Sequence, residues 1–164
     1  MPFTPLHMGP GIVVKAVLQG SFSLMVFGWS QIVIDLQPLV VMLTNQGELH
    51  GFSHTLLGAT LLGLLCGLTG KHLGELGLRI IRRPQYLPIT WRVSFISAFI
   101  GTYSHIVIDS IMHVDVFPLS PISTASPIHG IVSIESLTTW CLASAVVGGL
   151  VYFVVERTLK NNSC

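Results

Sequence analysis

Apolar residues run almost unbroken through four stretches of this chain, and most polar residues fall between them. The stretches are Ser21 to Thr44, Gly51 to Thr69, Trp91 to Met112 and roughly Ile131 to Val155. Each approaches or exceeds the ~20 apolar residues that cross the hydrocarbon core of a bilayer. The first carries Gln31, Asp35, Gln37 and Pro38 inside it, whereas the second is Gly- and Leu-rich with polar groups only at its start. Gly11 to Gln19 is apolar but too short to span, and Pro2, Pro5 and Pro10 break the chain before it. With no basic region ahead of it, this segment does not read as a signal peptide. It reads as a short helix that dips into the protein or lies at the interface. The pattern predicts an all-α, polytopic membrane protein. A single integral membrane domain covers 1–164, a four-helix transmembrane bundle plus a short N-terminal re-entrant or interfacial helix.

Composition supports this class. The 164 residues are 51% hydrophobic and 9% charged, against roughly 25% charged in typical soluble domains, and the mean hydropathy is +0.73. A net charge of +1 gives no basis for nucleic-acid binding. Cys66, Cys141 and Cys164 show no paired spacing, and the first two sit in apolar runs as small core residues. The basic residues are one-sided. Lys71, Arg79, Arg82, Arg83 and Arg92 crowd the 70–92 connection, and Arg157 and Lys160 follow the fourth stretch. The 45–50 and 113–130 connections hold no Lys or Arg. The positive-inside rule then places both termini and the 70–92 loop in the cytoplasm.

Histidines and aspartates mark the opposite end. His105 and Asp109 are four residues apart in an apolar run, so they share one helix face and can share one divalent ion. Ionisable groups inside a membrane are costly and point to function. At ~1.5 Å per residue, Asp35 lies ~21 Å above Ser21, and His105 and Asp109 lie ~21 and ~27 Å above Trp91. His54 opens the second stretch with His50 four residues earlier, and His113, Asp115 and His129 belong to the outer connection. Only Lys15 and His72 fall clearly outside this level. Asp35, His54, His105 and Asp109 form a hard-to-borderline ligand set suited to zinc or manganese. Mixed His/Asp ligation leaves positions for water, as hydrolytic sites do. The same residues suit a proton or metal-ion transporter using a His/Asp relay, although no internal repeat accompanies them. A non-catalytic membrane adaptor with a structural metal is a third reading. His7 joins the group only if the 11–19 segment rises from the cytoplasmic side as a re-entrant helix; a plain cytoplasmic tail is the alternative.

Pro5-Leu6-His7, Ile34-Asp35-Leu36-Gln37-Pro38, the His50 to Gly58 segment and Ser104 to Ser110 together resemble the YdjM-type bacterial inner-membrane family of membrane-bound metal-dependent hydrolases. That family's first span carries Asp-x-Asp-His where this chain has Gln37 in place of the second acid, and the paired histidines are one residue closer here. The family is in turn similar to zinc-dependent phospholipase C and P1-type nucleases. The resemblance implies a phosphodiesterase or phospholipase-like hydrolase in the bacterial inner membrane, acting on a phospholipid or other amphiphile at the external leaflet. It implies that Asp35, His54 and His105 hold one metal and that His7 and Asp109 hold another. His113 and His129 would serve a third, and His50 is a further candidate. Ser133 stands where that third site expects a Glu, so two zinc ions fit better than three. Asp35 and Asp109 are the implied catalytic carboxylates, with Asp35 orienting or deprotonating the attacking water.

Overall fold

The computed structural model describes residues 5–161 and the side chains of 6–158, and every regular element among them is helical. The helices are α1 (Met8–Leu18), α2 (Leu24–Ile34), α3 (Leu36–Thr44), α4 (Leu56–Ile80), α5 (Trp91–Met112) and α6 (Ile134–Asn161). Four segments are long and apolar enough to cross a membrane: Leu24–Thr44, Leu56–Ile80, Trp91–Met112 and Ile134–Thr158. The multi-pass, all-α expectation holds. Cys164 and the side chain of Lys160 lie outside the described residues.

Boundaries shift where local chemistry overrides hydropathy. The second span starts at Leu56 because residues 52–54 form a separate turn, and Thr55 caps the helix by accepting from Gly58 N. It also runs on to Ile80, well past Thr69. Gly70 and Gly74 lie against Val26 of α2, while Lys71 and Glu75 pair at 2.6 Å one turn apart. The first span is two helices that meet at Asp35. Pro38 has no N–H to give the Ile34 carbonyl, and its ring crowds that carbonyl, so the helix breaks there. The N-terminal helix begins at Met8 rather than Gly11, because Pro10 falls in its first turn, where N–H groups have no intrahelical partner anyway.

The core lies among α2, α4 and α5, where Val26, Val33, Cys66, Leu78, Ile89 and Ala98 are buried together. Close packing of these helices relies on small residues and hydroxyls, as usual in membranes. Ser94 Oγ donates to Gly67 O at 2.7 Å, and Ser97 Oγ accepts from Ser23 N at 2.8 Å. At Gly101 any Cβ would collide with Ser30 Oγ, so only glycine lets α5 approach α2 there. The opposite face of α6 is open, with Trp140, Val146, Leu150 and Val154 exposed to the surroundings, as suits a lipid-facing helix.

The short helix α1 lies along α6, with Gly9 against Cys141 and Ile12 and Val13 against Gly148. Its last turn sits at the basic end, where Lys15 Nζ donates to the Gln19 and Phe22 carbonyls. Tyr86 lies beneath that ammonium group and joins Tyr152 and Glu156 by hydrogen bonds. A mostly apolar cavity of about 510 Å³ opens at this end, beside Lys15, Phe22, Arg83 and Tyr86. The start of α1 is held at the other end by His7. His7 thus reaches Asp109, and the described start of the chain is packed into the bundle rather than trailing as a plain tail.

Gly101→Val should destabilise the detergent-solubilised protein by about 1–3 kcal/mol through overpacking. Gly149, with nothing within 4 Å of a Cβ, should accept Ala with no loss. Thermal unfolding followed by circular dichroism checks both.

Candidate metal centre

Each candidate ligand reaches one end of the bundle for a local reason. Residues 105 and 109 are one turn apart near the end of α5, and both face inward and are buried. Asp35 stands at the break between α2 and α3, where the chain changes direction. The Phe52–His54 turn folds back on the start of α4, and Gly58 makes this fit because a Cβ there would strike the Phe52 carbonyl. Gln37 holds the same turn from the other side: its Oε1 accepts from Ser53 N at 2.7 Å. Gln37 is thus a strap for the loop that carries His54 and takes no part in the ligand group. The outer connection closes over the turn as Leu56 N donates to Pro118 O at 2.8 Å.

Asp35, His54, His105 and Asp109 bring one ligand atom each within 4.8 Å of one another, and all four are buried. His105 Nε2 lies 3.2 Å from Asp35 Oδ1 and 3.1 Å from Asp109 Oδ2. His54 Nε2 lies 3.2 Å from Asp109 Oδ2 and 3.9 Å from Asp35 Oδ1. His7 Nε2 approaches the other oxygen, Asp109 Oδ1, at 3.3 Å, and its ring meets that of His105 edge-on at 4.4 Å. Asp109 therefore turns one oxygen toward His54 and His105 and the other toward His7.

The tautomer of His105 follows from its neighbour. Gln31 Nε2 donates to Gly101 O at 2.8 Å, which leaves Gln31 Oε1 as an acceptor 2.8 Å from His105 Nδ1. Nδ1 must carry a proton, which turns Nε2 toward the two carboxylates, as a donor when the ring is charged and as a lone pair when it is neutral. At 3.1–3.2 Å a proton on Nε2 or a metal ion has to stand between that nitrogen and the carboxylates. Consistently, His105 Nε2 and both nitrogens of His7 are buried without a hydrogen-bond partner. Ser53 Oγ holds His54 Nδ1 at 2.9 Å and leaves Nε2 facing the carboxylates. A partner on the outer ring nitrogen is the usual support of a metal-bound histidine. The cluster can hold a metal ion.

A second group lies next to it. His50, His113 and Asp115 also bring ligand atoms within 4.8 Å of one another. His50 Nδ1 is 2.8 Å from Asp115 Oδ2, and the His50 and His113 rings stack at 4.5 Å. Burial works to raise the Asp115 carboxyl, but the His50 hydrogen bond and charge hold it below the usual range. Burial also lowers His113, mainly offsetting the pull of Asp109. His129 stands apart: it is exposed on the outer loop and belongs to neither group. Ser133 bonds Ser136 N and side chain and so caps the start of α6. Three contributors were not singled out by spacing. Gln31 is legible as the lone amide one turn before Asp35, Asp115 as an acid two residues past His113, whereas Ser53 gives no signal apart from its place beside His54.

Comparison of the chain with protein-family models, with curated proteins and with solved structures gives no match in any of the three. The site therefore has to be argued from its own chemistry.

Gln31→Leu should leave the fold intact and free His105 to rotate. Metal affinity should fall about 10–100-fold, the usual cost of losing an outer-shell partner. Competition with a chromophoric chelator measures it, and an unchanged affinity would remove Gln31 from the account.

Proposed function

We propose that this chain is a metal-dependent hydrolase of the membrane, acting on a phosphoester of a phospholipid or similar amphiphile. The observation that carries it is the convergence of His54 and His105 on two buried carboxylates, Asp35 and Asp109, with ligand atoms within 4.8 Å of one another and Gln31 fixing the His105 ring. Two carboxylate charges with neutral imidazoles balance one divalent ion, and zinc suits this nitrogen and oxygen set. Asp35, His54, His105 and Asp109 would hold that ion, and His7 with the other oxygen of Asp109 would support a second. When bound, such ions supply Lewis-acid polarisation of a phosphoryl oxygen and activate water near neutral pH.

The protein supplies the rest. Gln31 and Ser53 fix the two rings, the 52–54 turn and the outer connection cover them, and Asp35 would take a proton from the attacking water. The exposed leucines of α4, among them Leu57, Leu61 and Leu64, adjoin the site end of the bundle and face the lipid, which suits an amphiphilic substrate. The site end is external and the 81–90 loop is cytoplasmic, in keeping with the basic residues there. A transporter would need access from both sides, but among the described residues the basic end has no matching His/Asp group.

Asp35→Asn is nearly isosteric but cannot accept a proton, and its turnover should fall ~10²–10⁴-fold with unchanged helical content. Assays over a panel of phospholipids and simple phosphodiesters test this; no hydrolysis by metal-loaded wild type, together with ion flux in proteoliposomes, would overturn the enzyme reading. Cysteines introduced at Thr124 and Gln85 should react with an impermeant reagent from the outside and only after the cytoplasm is opened, respectively. The reverse pattern would move the site to the cytoplasmic face.

A further inference from the structure

The outer group differs from the inner one in character. His50 is 8% exposed and His113 only partly covered, whereas the Asp115 side chain is 50% exposed. The three residues come from separate places: His50 from the connection after α3, His113 from the residue that ends α5, and Asp115 from the loop beyond. Nothing in their local sequence requires them to meet. Val116, fully buried, and the Gly130 N to Ile111 O bond pin that loop against the end of α5. The stacked His50 and His113 rings, 28° from parallel, lie side by side and can both turn a nitrogen toward the Asp115 carboxylate. His50 also meets His54 of the inner cluster, ring to ring, at 4.9 Å.

We propose that His50, His113 and Asp115 form a second divalent-cation site at the mouth of the buried cluster, separate from it and open to solvent. Two imidazoles and one carboxylate make three ligands of a tetrahedral ion and leave the fourth position for water or an incoming anion. Such a site takes zinc-like ions in preference to magnesium or calcium, which demand more oxygen ligands. Its solvent exposure and short ligand list make it the weaker and more exchangeable of the two. It requires neither His129 nor Ser133. The proposal holds whether or not the chain is a hydrolase.

Full-length protein in detergent, stripped with chelator and titrated with Zn²⁺ alone, tests it. Wild type should show a tight and a weaker class of binding. Asp115→Asn and His113→Gln should each lose the weaker class and keep the tight one, and Asp115→Glu should retain both. His105→Ala should do the converse, so failure of the inner site is seen separately. Circular dichroism confirms that each variant is folded. If Asp115→Asn and His113→Gln keep the weaker class, or if wild type binds only what His105→Ala removes, the outer residues are a hydrogen-bonded pair with a stacked neighbour and the proposal falls.

Discussion

Two carboxylates buried inside an apolar bundle are the constraint on which the rest of this structure depends. Asp35 and Asp109 are 4% and 5% exposed, and burying an uncompensated charge costs several kcal/mol even after relaxation. The imidazoles around them offset part of that cost, His54 Nε2 lying 3.2 Å from Asp109 Oδ2. Gln31 accepts from His105 Nδ1 on the side away from the acids, and its orientation is set by the Gly101 carbonyl of the facing helix. Gly101 in turn is what lets α5 approach α2 closely. Helix packing, amide orientation and ring orientation thus form one chain of cause, which ends in four buried ligand atoms within 4.8 Å of one another.

Delivering those groups requires backbone breaks at a depth where breaks are expensive. Helical termini without water leave polar groups unsatisfied, and they are tolerated only inside protein. This chain makes three such exceptions around the site: the start of α1 at His7, the interruption at Asp35 and the Phe52–His54 turn. The latter two are compensated locally. Asp35 O still accepts from Leu39 N at 3.0 Å, and the turn is closed by His54 N to Gly51 O and Thr55 N to Phe52 O. Breaks placed together, each carrying a candidate ligand, are hard to account for as packing alone. The long apolar faces of α4 and α6 do no comparable work and face lipid.

Much of this was legible in the sequence. Hydropathy located four spans because lipid imposes length and apolarity directly, and the third matched Trp91–Met112 to the residue. It placed the second badly, since α4 continues past Thr69 on a glycine face and a Lys71–Glu75 pair that a hydropathy run does not register. The inner cluster was legible because His and Asp are costly in apolar segments; the i, i+4 spacing of His105 and Asp109 gave their common face. His7 needed the structure, since whether a short helix re-enters depends on its packing along α6. His129 resembled its neighbours in type and position, yet loop geometry turns it to solvent and brings Asp115 to His50 instead. Loop geometry of that kind leaves no periodic trace.

X-ray absorption at the metal edge of zinc-loaded, purified protein probes the central claim most directly, because it reports the atoms around the ion rather than activity. The account predicts a shell of nitrogen and oxygen at about 2.0–2.1 Å, with the multiple-scattering pattern of imidazole, and its loss when His54→Ala and His105→Ala are combined with His113→Gln in one variant. A sulfur shell near 2.3 Å, or imidazole scattering unchanged in that variant, would contradict it.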